Sequence, residues 1–196
     1  MMKVSNISII ILLTISSIFF IPPIQCHQPP KLDLIKSICR ATPHYHLCVI
    51  TLKSNLYAVK YIASNTDISG FVRVTLKVVA TRAPVILMQL QTVQAQTKDT
   101  QLKAALDICI ASYTKISEEL VPQAQKCVDK GDYNGVKQNA TTAGNLADSC
   151  AKKCNGATSS AVLSQLGDSN QYVKNMCAIT VSIATQFSQS THQILP

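Results

Sequence analysis

The residues best placed to do chemistry in this chain are its cysteines. Eight occur among 196 residues, at positions 26, 39, 48, 109, 127, 150, 154 and 177. Cys39 and Cys48 flank a Thr42-Pro43 break, so a small helical hairpin stapled at Cys39–Cys48 is the simplest arrangement. The same interval holds His44-Tyr45-His46, and Cys39, His44, His46 and Cys48 are four residue types that hold zinc. Their spacing matches no common zinc module, and secretion favours the oxidised pair over a metal. Cys109 lies 22 residues before Gly131 and Cys150 lies 19 after it. At ~1.5 Å rise per residue they stand roughly 33 and 29 Å from a turn at Gly131. In an antiparallel hairpin they face each other, and a bridge between them clamps its open end. Cys154 lies 13 residues before Gly167 and Cys177 lies 10 after it. The same reasoning suggests a third bridge there, with two separate buried thiols as the alternative. Cys127, near the closed end of the hairpin, is left as the unpaired cysteine.

Other chemistry is thin. No Gly-x-Ser-x-Gly, His-Glu-x-x-His or phosphate-binding glycine loop occurs. Glu118-Glu119 is the only acidic doublet, and it lies between Ile116 and Leu120 of an apolar stripe, so a solvated face explains it. Nothing here supports an enzyme or a cofactor. Asn139-Ala140-Thr141 is the one Asn-x-Ser/Thr sequon outside the N-terminal segment. Its neighbours Val136, Ala140 and Ala143 belong to a buried stripe, which leaves Asn139 at the stripe's edge; glycosylation requires it to be exposed.

The elements that must position these residues are helices. Leu102, Leu106, Cys109, Tyr113, Ile116, Leu120, Ala124 and Cys127 recur at steps of four and three, and so do Val136, Ala140, Ala143, Ala147, Cys150 and Cys154. That alternation keeps one stripe on one side of a helix. Gly131 suits a helix stop and Asp132 a cap for the next. Upstream, Val72, Leu76, Val79, Ala83, Ile86, Leu90 and Val93 make another stripe, capped at Asp67 and kinked or interrupted at Pro84. Pro122 implies a second kink. Short helices are predicted over 31–41 and from Leu47, followed by a connector over 53–66. Breaks are predicted over 94–99, 155–160 and around Gly167. A last helix is predicted from about Gln171 to Gln189, with Val173, Cys177, Thr180, Ala184 and Phe187 as its stripe. The expected architecture is all-α: an antiparallel four-helix bundle over 67–190 with a helical-hairpin extension over 31–66.

Residues 1–26 read as a secretory signal, with Lys3 ahead of an uncharged apolar run from Ile7 to Ile21 and Pro22-Pro23 after it. The run falls short of the roughly 18–20 apolar residues of a spanning helix; a signal anchor is the alternative. Residues 27–196 then form one domain outside the membrane. The formal net charge is +8, and removing Lys3 makes it +7. A mildly basic, charge-poor secreted chain fits acidic partners or a solvated surface. It does not fit nucleic acid, since Lys152-Lys153 is the only Lys/Arg doublet.

Taken in order, these segments resemble the plant invertase and pectin methylesterase inhibitor family. They are the signal, Ile38-Cys39-Arg40-x-Thr42-Pro43 to Cys48, Ala105-Leu106-x-x-Cys109-x-x-x-Tyr113, Lys130-Gly131-Asp132-Tyr133, and an Ala-rich helix ending in Cys150. The resemblance implies an extracellular four-helix bundle with a hairpin extension and with bridges Cys39–Cys48 and Cys109–Cys150. It also implies inhibition by docking over a target enzyme's active cleft in the cell wall or apoplast. Cys127, Cys154 and Cys177 exceed the four cysteines that the family shares. Invertase-directed members often carry Pro-Lys-Phe before the third cysteine, and Thr97-Lys98-Asp99-Thr100-Gln101-Leu102 lacks it, which favours pectin methylesterase over acid invertase. Two other classes stand beside the inhibitor. A lipid-transfer protein is disfavoured because the chain has neither Cys-Cys nor Cys-x-Cys. A wall protein that no longer inhibits keeps the same fold.

Overall fold

A computed structural model describes residues 30–55, 69–155 and 161–192, and their secondary structure is entirely helical. In chain order the helices are α1 (Pro30–Arg40), α2 (Tyr45–Ser54), α3 (Ser69–Gln96), α4 (Thr100–Lys115), α5 (Val121–Asp129), α6 (Tyr133–Asn155) and α7 (Ala161–His192). A single π-helical turn, Ile116–Leu120, joins α4 to α5. Residues 34–196 cluster as one compact unit, apart from 1–33. The expected signal segment, the connector beyond Asn55 with its Asp67 cap, and most of the 155–160 loop lie outside the described residues.

Each long helix buries most of the stripe its spacing marked, with Val93, Cys127 and Phe187 half-buried. Val72, Leu76, Val79, Ala83, Ile86 and Leu90 of α3 are all buried, as are Leu102, Leu106, Cys109, Tyr113, Ile116 and Leu120 along α4 and the π turn. On α6 the stripe is Val136, Ala140, Ala143, Ala147 and Cys150. Helix α3 packs on α4 and α7, and α6 packs on α4, α5 and α7. With α4, the π turn and α5 taken as one rod, these contacts close a square in which sequence neighbours run antiparallel. It is a four-helix bundle of up-down-up-down connectivity. The hairpin α1–α2 is attached along α3 and α7: α2 contacts α3, the Thr51 hydroxyl meets the Met176 sulfur, and the Gln186 amide donates to the Ile38 carbonyl.

Local sequence explains the turns. Asp99 caps α4 by accepting hydrogen bonds from the Gln101 and Leu102 amides. At the central turn Gly131 has φ +70°. The Asp132 amide donates to the Cys127 carbonyl at 2.9 Å and the Gly131 amide to the Val128 carbonyl at 3.1 Å. This is the paired closure of a Schellman ending, in which glycine supplies the left-handed residue. Asp132 then caps α6 by accepting from the Gly135 amide at 2.9 Å.

Two predicted breaks need correction, the interruption allowed at Pro84 and the break at Gly167, while the kink expected at Pro122 meets a local departure from α-helical bonding. Helix α3 passes through Pro84 without a break; that residue is exposed, so water can satisfy the carbonyl that its missing N–H leaves behind. At Pro122 the chain answers with the π turn, where the Val121 amide reaches back to the Ile116 carbonyl and re-phases the bonding ahead of the ring. The break at Gly167 is absent. Helix α7 begins at Ala161 and runs on, because Leu166, Asn170 and Val173 continue its buried stripe.

Candidate docking surface

The two bridges expected from spacing are present. Cys39 and Cys48 are joined with their Cα atoms 5.6 Å apart, and Cys109 and Cys150 with theirs 4.9 Å apart. All four residues are 0% exposed, so both staples are inside the packing. The first closes the α1–α2 corner, where the Thr42 hydroxyl donates to the Cys39 carbonyl at 2.7 Å. Its formation removes two of the four ligands weighed for zinc; His46 is exposed and stacks edge-on against Tyr45. The second fixes α4 to α6 at the end remote from Gly131.

The third bridge does not form. Cys177 is a buried free thiol. Its Cβ packs on the backbone of Gly144, where an added Cβ would lie only 3.2 Å away. Gly144 is ten residues before Cys154 on α6, or about 15 Å along the helix. The pairing assumed a turn at Gly167; with α7 starting at Ala161, the register moves and Cys177 faces mid-α6. Burial pushes its thiol up to about 12. Cys127 is also a free thiol, half-buried beside Gly135 and Asp132; desolvation first, then the Asp132 carboxylate, raise its pKa.

Glu118 and Glu119 are exposed on the π turn, as a solvated doublet would be. Asn139 is half-buried, and its side-chain amide donates to the Gly135 carbonyl at 2.8 Å. The polar groups that are buried serve packing. Tyr113 donates to the Asn170 side-chain oxygen, the Asn170 amide lies 3.6 Å from the Cys150 sulfur, and Thr180 and Thr75 join their hydroxyls at 2.8 Å. These groups tie α4, α6, α7 and α3 across the core and offer no reactive pair.

The surface offers candidate contact residues. Among the described residues, large apolar side chains left exposed are Ile50, Val85, Met88 and Ile108. Of these, Met88 borders the α3–α7 seam, beside Gln165 and Leu166 of α7. Two grooves adjoin there through Gln165. One, of about 210 Å³, is lined by Arg82, Ile86 and Tyr172; the other, of about 300 Å³, by Met88, Thr92 and Leu166. The Arg82 guanidinium lies over the Tyr172 ring, 5.6 Å from its centroid. Arginine, tyrosine and methionine beside shallow apolar relief are what protein interfaces favour. The stripes in the sequence do not mark them: Arg82 and Met88 fall between buried positions, and only the neighbouring α7 shows that each borders a groove on this seam. A third groove, of about 330 Å³, lies between α6 and α7 over Gly144 and Cys177. The α6–α7 contact is further tied by Asp148, which accepts from Lys152 and Lys174; those hydrogen bonds, that of Lys152 foremost, hold its carboxyl below the usual range.

Comparison with known proteins gives one direction. Residues 33–183 match the family described as Plant invertase/pectin methylesterase inhibitor. The chain is 24% identical over 169 residues to a pectinesterase inhibitor of Actinidia deliciosa, covering 85% of this chain and 87% of that one. It is 29% identical over 144 residues to the cell wall / vacuolar inhibitor of fructosidase 1 of Arabidopsis thaliana, covering 74% and 65%. Among solved structures, a mutant form of a pectin methylesterase inhibitor from Arabidopsis superposes with a TM-score of 0.66 at 21% identity, over 83% of this chain and 97% of that one. A second structure, of a pectin methylesterase inhibitor from Arabidopsis thaliana, gives a TM-score of 0.57 over 78% and 95%. At such identity these structures speak for the fold.

Proposed function

The chain belongs to the plant invertase/pectin methylesterase inhibitor family, and from that premise we propose that it is a secreted inhibitor of pectin methylesterase. In this reading residues 1–26 carry it into the secretory route and are removed. It then binds one molecule of enzyme over the active cleft and blocks pectin from entering. The observation that carries the reading is the family match across 33–183, with both bridges of the implied framework formed. A rigid bundle suits the task, because a stapled surface loses little freedom on docking.

The contact face in this proposal is the open α3–α7 seam, with Arg82, Met88 and Tyr172 at its centre. Acid invertase is the second target, favoured by the relative that inhibits fructosidase. The segment Thr97–Leu102 speaks for pectin methylesterase, since it has no Pro-Lys-Phe. The test is to mix the purified mature protein with each enzyme at mildly acidic pH and follow both activities. Loss of esterase activity together with a 1:1 complex on size exclusion is the expected result. Loss of invertase activity alone reassigns the target, and loss of neither across several isoforms ends the inhibitor reading.

A further inference from the structure

We propose that Met88 is an oxidation site, and that hydroperoxides weaken docking by converting it to the sulfoxide. The effect on docking rests on the contact face proposed above; the selectivity for Met88 does not. The chain has four methionines. Met1 and Met2 belong to the segment read as the signal, which leaves Met88 and Met176 in residues 27–196. The fold puts these two thioethers in opposite settings. Met88 is 61% exposed on α3 and lines the groove of about 300 Å³. Met176 is 0% exposed on α7, and its sulfur accepts the Thr51 hydroxyl of α2 at 3.8 Å. An oxidant must reach the sulfur lone pair, so packing protects one methionine and leaves the other open. Four cysteines are bridged, and Cys177 is a buried thiol. Cys127 is half-buried, and desolvation and the Asp132 carboxylate hold it as the thiol, not the reactive thiolate.

The step is a two-electron oxygen transfer with a hydroperoxide as co-reactant. The Met88 sulfur lone pair attacks one peroxide oxygen, and the S–O bond forms as the O–O bond breaks. With hydrogen peroxide, the departing hydroxide takes the proton of the transferred hydroxyl and leaves as water. Sulfur is oxidised and the peroxide is reduced.

The change is confined to the tip of the side chain. The Met88 carbonyl accepts the Thr92 hydroxyl at 2.8 Å within an unbroken helix, which holds the backbone in place. A flexible apolar group suited to adaptable contacts becomes a polar one. The side chains of Gln89 and Gln165 line the same groove and bring amide donors to the new oxygen. A partner surface that met the thioether must then strip a hydrogen-bonded sulfoxide, and that costs affinity.

The mature protein is to be treated with dilute hydrogen peroxide, freed of it, digested and mapped by mass. The expected product gains one oxygen on the Met88 peptide, while Met176 reacts only after unfolding in urea. Oxidation of Met176 in the folded protein as fast as Met88, or an unreacted Met88, overturns the proposal. Binding to pectin methylesterase is then measured before and after treatment. Wild type is expected to weaken by at least about fivefold, and methionine sulfoxide reductases for both epimers restore it. Met88→Leu has no sulfur at this position, so its own affinity, whatever its starting value, is expected to be the same before and after peroxide. A treated wild type that binds as before overturns the docking effect, as does a Met88→Leu protein that weakens equally. Untreated protein that binds no esterase ends the proposed target and the docking effect together. The mapping needs no partner, and so separates that case from a Met88 that does not react.

Discussion

Asn170 shows what one residue can do in this core. It is 0% exposed, and its side chain accepts the Tyr113 hydroxyl from across the bundle. In sequence the Gly167-Asp168-Ser169-Asn170 run has the composition of a turn, and only the partner on α4 makes a helical, buried asparagine favourable. Asn170→Leu removes the amide that bonds the Tyr113 hydroxyl and approaches the Cys150 sulfur, and costs about 1–3 kcal/mol, read from urea melts. Cys177 makes a second prediction at this scale. Its folded thiol titrates near 12 against an ordinary value of 9.0. The folded state therefore holds the proton that the unfolded state releases. The stability it contributes is complete below pH 9 and is lost as pH climbs toward 12. Cys177→Ala removes that part of the alkaline decline, read as the difference between wild-type and variant urea midpoints against pH.

At the scale of elements the bridges and the α6–α7 ion pairs matter most. The Cys109–Cys150 staple closes 41 residues across the end of the hairpin remote from its turn. Replacing both cysteines by serine costs about 2–5 kcal/mol, measured by chemical denaturation. Amide exchange rises first at the start of α4 and the end of α6, while the Gly131 turn keeps its protection. Asp148 holds Lys174 of the next helix as well as Lys152 of its own. Its folded carboxyl titrates below the ordinary 3.8. The contribution is present above that value and is lost as pH falls through the lowered one. Asp148→Asn is thus less stable than wild type at neutral pH, and the two converge in acid, as thermal melts across the acid range will report. The same scale explains why the two prolines act differently. Proline forbids one backbone bond, but whether a helix breaks depends on solvent beside Pro84 and on a π turn ahead of Pro122, and neither is written in the residue itself.

For the whole molecule, the open α3–α7 seam is the surface on which the proposed contact is tested. Met88 is 61% exposed, so Met88→Asp disturbs no packing. It places a desolvated charge in the proposed contact, weakening the enzyme complex by at least about tenfold, or ~1.4 kcal/mol, with an unchanged melting temperature. Titration of esterase inhibition by the variant checks it; unaltered inhibition moves the contact to another face.

The division between sequence and tertiary structure follows from range. Helical stripes, the glycine turn with its aspartate cap, and the facing of Cys109 and Cys150 across Gly131 are local facts. Fixed rise per residue and a single turn carry them without knowledge of the other helices. The start of α7, the register that brings Cys177 to Gly144 rather than to Cys154, the burial of Asn170 and the seating of Arg82 over Tyr172 depend on contacts between distant segments. There the favourable packing of a continuing stripe outweighs the turn preference of a few polar residues and one glycine, and only assembly of the four helices sets that balance.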